Sequence, residues 1–455
     1  MLLTTFDKCC IITFECLCRT ATQKAKKGQV DIMAAQVKKI AVLTSGGDCQ
    51  AMNAAVRAVV LSARKYNIEV LGVQGGYYGI YYHPDTALRP LNADAVENII
   101  SRGGTILDSA RFEDFKKDYD GISKAIANNL RAVGVEALVV IGGDGSFRGG
   151  LDVMSNGGIP CVGIPATIDN DIVSTEYTLG FDTALRNTIE VCDSLRDTCN
   201  SHKRCNVVEV MGRNAGQIAL HAAIAVGASA VSIPEDPDLF NEEDVIDRMI
   251  EARRNGKRSF LVVFAEGAEN LGLTAEDKKA ALDAAVKDYA EGKIDQKALT
   301  KAAFYNFKAE YSEQFVDALQ SKSKEAFKKY YAETGNIDFK DEYIETKFMR
   351  CAHMARGGSP SCFDRVVAGH MGELAVKLLA EGKFNRTVCV HDGRLTDMDM
   401  REAISVDSFY RKFRKNGSYE QEKYDELTDL QKKLFEFRLN VSRRLMETAA
   451  SLSEV

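Results

Sequence analysis

The stretch ALVVIGGDGS at residues 137–146 decides the fold class of this chain. It opens with a run of apolar, mostly β-branched residues, which is typical of a buried strand. Two glycines end that run, and Asp144 then stands between Gly143 and Gly145. A carboxylate at the carboxyl end of a strand, with bare backbone around it, is typical of a ligand-binding edge in an α/β sheet.

The rest of the chain repeats this pattern from Lys38 onward. The runs that we expect to form strands are KKIAVLT, IEVLGV, ALVVIGG, IPCVGI, CNVVEV, SAVSI, SFLVVFAEG and TVCVHD. They alternate with helical patterns such as MNAAVRAVVLSARKY, KAIANNLRAV and FDTALRNTIEVCDSLRDT, in which apolar residues recur at three- and four-residue spacing. The sequence therefore predicts an α/β fold with two doubly wound parallel-sheet lobes.

Three segments lie outside this pattern. Residues 1–36 are apolar and rich in Cys but lack the layout of a signal peptide, and we expect them not to belong to the fold. Residues 268–344 are rich in Ala, Lys and Glu and predict a charged helical insertion with a solvated face. Residues 401–455 predict a helical C-terminal region. We expect no recognisable chemistry in either helical segment.

The composition is that of a globular protein, with 45% hydrophobic and 27% charged residues among 455. The 59 basic residues are outnumbered by 65 acidic ones, so the formal charge of -6 gives no general attraction to nucleic acid or anionic lipid. We expect no segment of this chain to span a bilayer, which takes roughly 20 predominantly apolar residues. Twelve Cys without regular spacing predict reduced thiols and a cytoplasmic location. We expect neither nucleic acid nor membrane as a partner.

Two glycine turns are candidate phosphate-binding sites. The first is LTSGGD at residues 43–48, where Gly46 lets the backbone approach a ligand and the following helix presents unpaired N–H groups to an anion. The second is VVIGGDGS at residues 139–146, whose Asp144 is a candidate ligand for Mg²⁺. Mg²⁺ is commonly held through one or two carboxylates plus nucleotide phosphates. Each turn alone could also be an ordinary tight turn or a helix cap.

The segment PATIDND at residues 165–171 carries a candidate general base. Asp169 and Asp171 are two residues apart, so in an extended segment both would face one side together with Thr167. A sugar hydroxyl that attacks phosphorus must lose its proton, and a carboxylate beside a metal-bound nucleotide can accept it. Asn-Asp clusters also form ordinary turns, so this segment alone does not decide the function.

Several cations are candidate phosphate clamps. Arg213 in VVEVMGRNAG follows a strand and could neutralise charge on a transferring phosphoryl group. Arg111 in GGTILDSARF is a second candidate, and His353 and Arg356 in HMARGGSP could grip a substrate phosphate. A single Arg is more often a surface ion-pair former, so the conjunction of these motifs carries the prediction of phosphoryl transfer.

Other kinds of site fit the sequence poorly. Cys199, His202 and Cys205 have tolerable zinc spacing, but no fourth ligand of similar quality is nearby. No G-x-S-x-G elbow is present, and GGDG lacks the spacing of a P-loop or of a dinucleotide fingerprint.

In this order, LTSGGD, GGTILDSARF, VVIGGDGS, PATIDND, VVEVMGR and HMARGGSP closely resemble the motifs of the bacterial-type phosphofructokinases, over roughly residues 37–267 and 345–400. The resemblance implies transfer of the γ-phosphate of ATP to the 1-hydroxyl of fructose 6-phosphate, with Mg²⁺, in the committed step of glycolysis. It implies a nucleotide-binding lobe at 37–178, completed by about 355–400, and a sugar-phosphate-binding lobe at 179–267 and 345–354. It also implies a homotetramer whose sites are shared between subunits.

The resemblance assigns a role to each candidate residue. It implies that Asp169 is the base, with Asp171 and Thr167 beside it. It implies that Arg213 is the transition-state clamp and that Asp144 binds the metal. The implied nucleotide-binding residues are Gly46, Arg111, Phe112, Gly143, Asp144, Gly145 and Ser146. The implied sugar-phosphate ligands are Thr167, Asp169, Met211, Gly212, Arg213, Glu266, Lys347, His353 and Arg356, with Arg204 from the neighbouring subunit.

Two positions bear on the phosphoryl donor. Gly145 leaves room for the nucleoside part of ATP, and Ala166 supplies no cation that could replace it. The pyrophosphate-dependent members of the family that the chain resembles have Asp and Lys at these positions, and many ATP-dependent members have Gly at the second, so we expect ATP and keep pyrophosphate as the alternative. Lys347 stands where the family typically has Arg, which keeps the charge but loses the bidentate fork.

Two further expectations concern regulation and catalytic competence. Of the family's basic effector-binding positions, Arg57, Arg196 and Lys257 are kept, whereas others read Leu61, Ala93 and Asn255, so we expect a weakened effector response. A catalytically silent regulatory subunit is the alternative outside enzymes. Such a protein would be expected to lack the base, the metal carboxylate or the arginine clamp, and this chain has all three.

Overall fold

The computed structural model describes residues 36–268, 275–296, 299, 311–416 and 418–452. The predicted N-terminal extension lies outside the described residues, except for residue 36. The described chain divides into two compact units. The first unit comprises the described residues up to Gly180 together with Gly358–Arg438, and the second comprises those of Phe181–Gly357 together with those from Leu439 onward.

Strands and helices alternate along most of the chain. The strands are β1 (Lys39–Ser45), β2 (Glu69–Val73), β3 (Leu88–Pro90), β4 (Ala137–Gly142), β5 (Cys161–Pro165), β6 (Cys205–Val210), β7 (Ala230–Ser232), β8 (Phe260–Ala265), β9 (Thr346–Arg350), β10 (Arg386–His391) and β11 (Arg394–Asp399). The α-helices are α1 (Met52–Ala63), α2 (Gly76–Tyr82), α3 (Pro84–Ala87), α4 (Tyr119–Ala132), α5 (Asp144–Gly157), α6 (Phe181–His202), α7 (Gln217–Val226), α8 (Glu242–Arg254), α9 (Ala275–Ala290), α10 (Tyr311–Thr334), α11 (Cys362–Ala380), α12 (Met400–Asn416), α13 (Gln421–Asp425) and α14 (Asp429–Leu452).

The first unit is built on a seven-stranded sheet of order β11-β10-β5-β4-β1-β2-β3. Its five central strands are parallel, and β3 and β11 pair antiparallel at the two edges. The central strands are almost wholly buried because helices cover both faces. This arrangement places the ends of β5, β4 and β1 side by side at one edge of the sheet.

Alternate residues of β1 face the two helical layers of the first unit. Ala41 and Leu43 lie in a core with Ile126 of α4 and Phe147 of α5. On the opposite face α1 and α11 pack against each other. Gly372 of α11 permits this approach, because a Cβ atom there would lie 2.5 Å from the Cβ of Ala58.

The second unit has a fully parallel four-stranded sheet of order β7-β8-β6-β9. Its core joins residues of β6 and β8 to α8 and to the helix α10 of the predicted charged insertion. Phe315, Leu319 and Phe327 of α10 are fully buried. The sequence predicted a solvated face for the insertion, and the structure adds that another face of α10 is part of this core.

The structure confirms the predicted α/β fold with two parallel-sheet lobes and additional helices. All eight predicted strand runs form strands, and β3, β9 and β11 are further strands that the sequence did not reveal. The assignment of one lobe to the nucleotide and the other to the sugar phosphate stays a prediction. Within the described residues, no helix combines the length and the apolar character needed to cross a membrane.

Candidate functional site

The carboxyl edge of the first sheet brings together the predicted motifs of the first unit. Strands β5, β4 and β1 are parallel neighbours, so they end on the same edge. Gly46 follows β1, Asp144 follows β4, and Thr167 follows β5. The topology therefore gathers the two glycine turns and the acidic segment, which are far apart in the chain.

The two glycine turns are shaped for close approach of a ligand to the backbone. Gly46 has a φ of +88°, which favours glycine, and Ser109 donates a hydrogen bond to its carbonyl over 2.6 Å. Gly143 is the N-terminal cap of α5, which has no side-chain cap hydrogen bond. A Cβ atom at Gly143 or Gly145 would meet nothing within 4 Å. Open space above an uncapped helix N-terminus suits a phosphate group.

Asp144 is the first residue of α5, and two cations contact its half-buried carboxylate. Arg411 of α12 lies 2.6 Å away, and Arg148 lies one helical turn along α5 at 3.4 Å. Burial alone would lower the pKa of Arg411, but the carboxylate of Asp144, together with the charges of Asp171 and Asp407, raises that pKa overall. The carboxylate thus stands in a site that accommodates positive charge.

Residues 166–180, which we call the acidic loop, join β5 to α6 and contain the predicted base. Asn170 adopts a left-handed φ of +46°, and the chain turns at 168–169. The premise of an extended segment that aligns both aspartates is therefore wrong. The amide of Asp169 donates to the hydroxyl of Thr167 over 3.3 Å, whereas the carboxylate of Asp171 lies 3.7 Å from Arg414 of α12.

The predicted nucleotide residues Arg111 and Phe112 adjoin an aromatic cluster. Arg111 is exposed, and Phe112 contacts the rings of Tyr78, Tyr81 and Tyr82 at centroid distances of 6.0, 5.6 and 5.8 Å. The repeat YYGIYY of α2, which places these tyrosines, was a signal that sequence reasoning missed.

In the second unit, most of the remaining predicted residues follow the ends of three parallel neighbours, whereas Arg204 precedes β6 and Lys347 lies within β9. Met211, Gly212 and Arg213 follow β6, and Glu266 follows β8. Gly212 has a φ of +142°, and a Cβ atom there would lie 2.3 Å from the carbonyl of Ala215. This turn therefore requires glycine.

After β9, a short 3₁₀ helix over Ala352–Arg356 carries His353 and Arg356. Residues three apart eclipse each other in a 3₁₀ helix, so the two side chains lie on one side of it. Asn187 of α6 donates to the carbonyl of Gly357 over 2.9 Å, which anchors the end of this turn.

Arg204 and Lys347, both predicted to bind the substrate phosphate, share one carboxylate. Glu345 lies 2.6 Å from the guanidinium of Arg204 and 2.9 Å from the ammonium of Lys347. Hydrogen bonds from Lys347 and Arg204 lower the pKa of Glu345. Sequence reasoning missed this counter-ion, although Glu345 stands only two residues before Lys347.

Within the described residues, no three His, Cys, Asp or Glu side chains cluster in a way that could hold a metal ion. Mg²⁺ can be held by a single carboxylate when phosphates supply its other ligands. The open backbone on both sides of Asp144 leaves room for such phosphates. The residues present therefore fit a magnesium–nucleotide complex at Asp144.

Sequence reasoning also missed the contribution of the C-terminal region, for which it predicted no chemistry. Asp407, Arg411 and Arg414 are spaced by four and three residues on α12, and a spacing of this kind places side chains on one helix face. This face meets Asp144 and the acidic loop. The spacing was visible in the sequence, but its partners were not.

Asp407 makes the stability of the first unit depend on pH. Burial raises the pKa of Asp407 to about 7, with Asp144 and Asp171 adding to it against hydrogen bonds from Ser174 and Val173. The ordinary value is 3.8, so between about pH 4 and pH 7 the unfolded carboxyl has lost a proton that the folded one retains. The free-energy cost of folding that Asp407 adds therefore grows as pH rises through this range. We expect Asp407→Asn to raise the melting temperature by a few degrees at pH 8, measured by scanning calorimetry.

The gain from Asp407→Asn should shrink toward pH 4, where the folded carboxyl is protonated and the unfolded one is already about half protonated, so little proton uptake remains. The guanidinium groups of Arg411, Arg414 and Arg438 also face this region and are unchanged in the variant. An equal gain at pH 4 and pH 8 would contradict the raised pKa.

A family model described as phosphofructokinase matches residues 39–379. The chain belongs to the phosphofructokinase family. It is 39% identical over 371 residues to "ATP-dependent 6-phosphofructokinase 1" of Clostridium perfringens, which covers 82% of this chain and 95% of that protein. It is 37% identical over 396 residues to an ATP-dependent 6-phosphofructokinase of Clostridium botulinum, which covers 87% of this chain and all of that protein.

Solved phosphofructokinase structures share the fold. The Saccharomyces cerevisiae enzyme superposes with a TM-score of 0.64 at 26% identity over 91% of this chain, and this phosphofructokinase spans about half (50%) of that longer chain. A pyrophosphate-dependent phosphofructokinase of Marinobacter aquaeolei has a TM-score of 0.57 at 20% identity, covering 81% of this chain and 84% of that one. The second likeness concerns the fold alone.

Proposed function

We infer that this phosphofructokinase transfers the γ-phosphoryl group of ATP to the 1-hydroxyl of fructose 6-phosphate, giving fructose 1,6-bisphosphate and ADP. The observation that carries this inference is the 37–39% identity to ATP-dependent 6-phosphofructokinases over at least 94% of their length. The sharpest test measures initial rates of the purified protein with fructose 6-phosphate and either ATP or pyrophosphate. Turnover with ATP alone is expected.

The first unit supplies the donor site and the base in this proposal. Gly46, Gly143 and Ser146 present backbone groups to the phosphates of ATP, and Arg111 and Phe112 lie toward its nucleoside. Asp144 would hold Mg²⁺, which neutralises charge on the phosphates when bound. Asp169 accepts the proton of the attacking hydroxyl, while Thr167 and Asp171 shape the loop around it.

The second unit supplies the groups that bind the sugar phosphate. Arg213 neutralises the charge that spreads over the equatorial oxygens during transfer. Met211, Gly212 and Glu266 contact the sugar, and the side chains of Lys347, His353 and Arg356 bind its 6-phosphate.

We further propose a homotetramer, with Arg204 reaching the sugar phosphate of the neighbouring subunit. Light scattering on the purified protein tests this state. The cytoplasmic location also stays a prediction.

Gly145 is the position at which the proposal about the donor is tested most cleanly. A Cβ atom at Gly145 would meet nothing within 4 Å, so a side chain can be added there without a clash. Ala166 is only 1% exposed, so Ala166→Lys would bury a charged side chain or displace its neighbours. We expect Gly145→Asp to lower kcat/KM for ATP by about 10²-fold, because a carboxylate there repels the phosphates. Combining it with Ala166→Lys should move activity toward pyrophosphate.

Gly145→Ala is the matched control, since it adds a methyl group without charge where space is open. We expect it to keep kcat/KM for ATP within about threefold. If both variants lowered kcat/KM for ATP to the same extent, steric filling rather than charge would govern this position. ATP-dependent rates that survive both Gly145→Asp and Ala166→Lys would show that these positions do not choose the donor.

A further inference from the structure

The acidic loop is braced from within at one end. The side-chain oxygen of Asn170 accepts a hydrogen bond from the amide of Thr178 over 3.1 Å, and the hydroxyl of Thr178 donates to the carbonyl of Thr167 over 2.6 Å. These bonds close the loop around Asp169. Within residues 171–175 the amide of Thr175 donates to the carbonyl of Ile172 over 3.4 Å, and side chains from other parts of the chain bond further backbone groups.

Asp407 of α12 satisfies two amides of that backbone. One of its carboxylate oxygens accepts from Val173 over 2.7 Å and from Ser174 over 3.1 Å. Asp407 is 2% exposed, and its second oxygen has no hydrogen-bond partner among the described residues. Burying a carboxylate whose second oxygen lacks a hydrogen bond costs free energy, so Asp407 bonds these two amides at a cost to stability.

Arg438 of α14 satisfies three carbonyls of the same loop. Its guanidinium donates to Asn170 over 3.2 Å, to Ile172 over 3.0 Å and to Thr175 over 2.7 Å. Arg438 is 4% exposed, and burial lowers its pKa. The rigid planar fork of a guanidinium fixes the relative positions of the carbonyls it bonds.

The two helices that carry these side chains are themselves joined. Gln431 of α14 donates to the carbonyl of Glu402 in α12 over 2.9 Å. Together, Asp407 and Arg438 bond five backbone groups within residues 170–175, directly after the predicted base. For stability alone, apolar side chains of similar volume would often serve as well as buried ions, so the retained charges point to a need for precise loop geometry.

We propose that Asp407 and Arg438 are positioning residues for phosphoryl transfer, which fix the backbone of residues 170–175 and thereby the placement of Asp169. The proposal rests on the proposed function, since it assigns the loop a catalytic base. The two residues act through the loop and touch neither substrate. Their removal should therefore lower kcat while leaving the binding of both substrates intact.

The first experiment compares Arg438→Met with Lys433→Met. Both remove one positive charge from α14, but Lys433 is exposed and pairs with exposed Asp392 at 3.7 Å. We expect Arg438→Met to lower kcat by about 10²-fold, the scale on which a small misplacement of a reacting group acts, with both KM values within about threefold. Arg438→Lys should recover part of the loss, and Lys433→Met should match the wild type.

A second readout follows the loop without any turnover. Hydrogen exchange measured by mass spectrometry on peptides covering residues 170–178 should be faster in Arg438→Met and unchanged in Lys433→Met. A wild-type kcat in Arg438→Met with faster exchange would overturn the catalytic part of the proposal. Unchanged exchange would show that Arg438 does not fix the backbone of the acidic loop, which would overturn the proposal. If the wild type shows no turnover, the proposed function fails. Hydrogen exchange then still tests whether Arg438 fixes the backbone of the acidic loop.

Two substitutions at Asp407 keep the proposal testable if Arg438→Met does not fold. Asp407→Asn retains an oxygen that can accept from Val173 and Ser174, whereas Asp407→Leu leaves both amides unsatisfied. We expect the Asn variant to keep kcat within about threefold and the Leu variant to lose about 10²-fold. Equal kcat values in the two variants would overturn the proposal.

Discussion

The Asp169→Asn variant is expected to lose about 10³-fold in kcat, while its affinity for fructose 6-phosphate changes by less than about threefold. The amide has nearly the shape of the carboxylate but cannot take a proton from the attacking hydroxyl at neutral pH. Asp169 lies in the loop after β5, on the edge that also carries Asp144. A coupled assay gives kcat, and calorimetric titration with fructose 6-phosphate gives the affinity.

Asp392→Asn is the control, because its carboxylate in the same unit is 77% exposed and pairs only weakly with Lys433. It should leave kcat unchanged. If Asp169→Asn kept more than about a tenth of the wild-type kcat, the role of the base would have to pass to another group. If the wild-type protein bound both substrates without turnover, we would conclude that it is a catalytically silent regulatory subunit and not an enzyme.

Most of the fold could be predicted because the central strands are buried on both faces. Runs such as ALVVIG in β4 are wholly apolar, and such runs are the strongest strand signal in a sequence. The missed strands β3, β9 and β11 lie at sheet edges, and their segments LRP, TKFMR and RLTDMD mix charged and apolar residues. A half-solvated edge strand needs no continuous apolar run, so local pattern could not reveal it.

The candidate site divides in the same way. Gly46, Asp144 and Thr167 could be placed together from sequence because parallel strands end on one edge. The hydrogen bonds from Arg438 to the acidic loop could not be predicted from sequence, because Arg438 and Asn170 are 268 positions apart in the chain. Nothing local to either residue encodes that contact. A buried arginine in a charged helix resembles its solvated neighbours until the tertiary partners are known.

Asp144→Asn should lower kcat/KM for ATP by about 10³-fold, because the proposed metal ligand loses its charge. The carboxylate now faces Arg411 at 2.6 Å, so a divalent cation must compete with an existing positive charge. Arg411→Gln should therefore act in the opposite direction on the metal and lower the Mg²⁺ concentration required for half-maximal rate. Titration with Mn²⁺ in the presence of ADP, followed by electron paramagnetic resonance, measures metal affinity without turnover.

Arg401→Gln on the same helix is the matched control for Arg411→Gln. Arg401 is exposed, and its guanidinium donates to the hydroxyl of Ser155 over 3.4 Å. Its metal dependence should equal that of the wild type. If Arg411→Gln instead raised the KM for ATP and left Mn²⁺ affinity unchanged, Arg411 would be a ligand of the donor phosphates. If Asp144→Asn left Mn²⁺ affinity unchanged, the metal would have to bind elsewhere, since its proposed protein ligand would have been removed without effect.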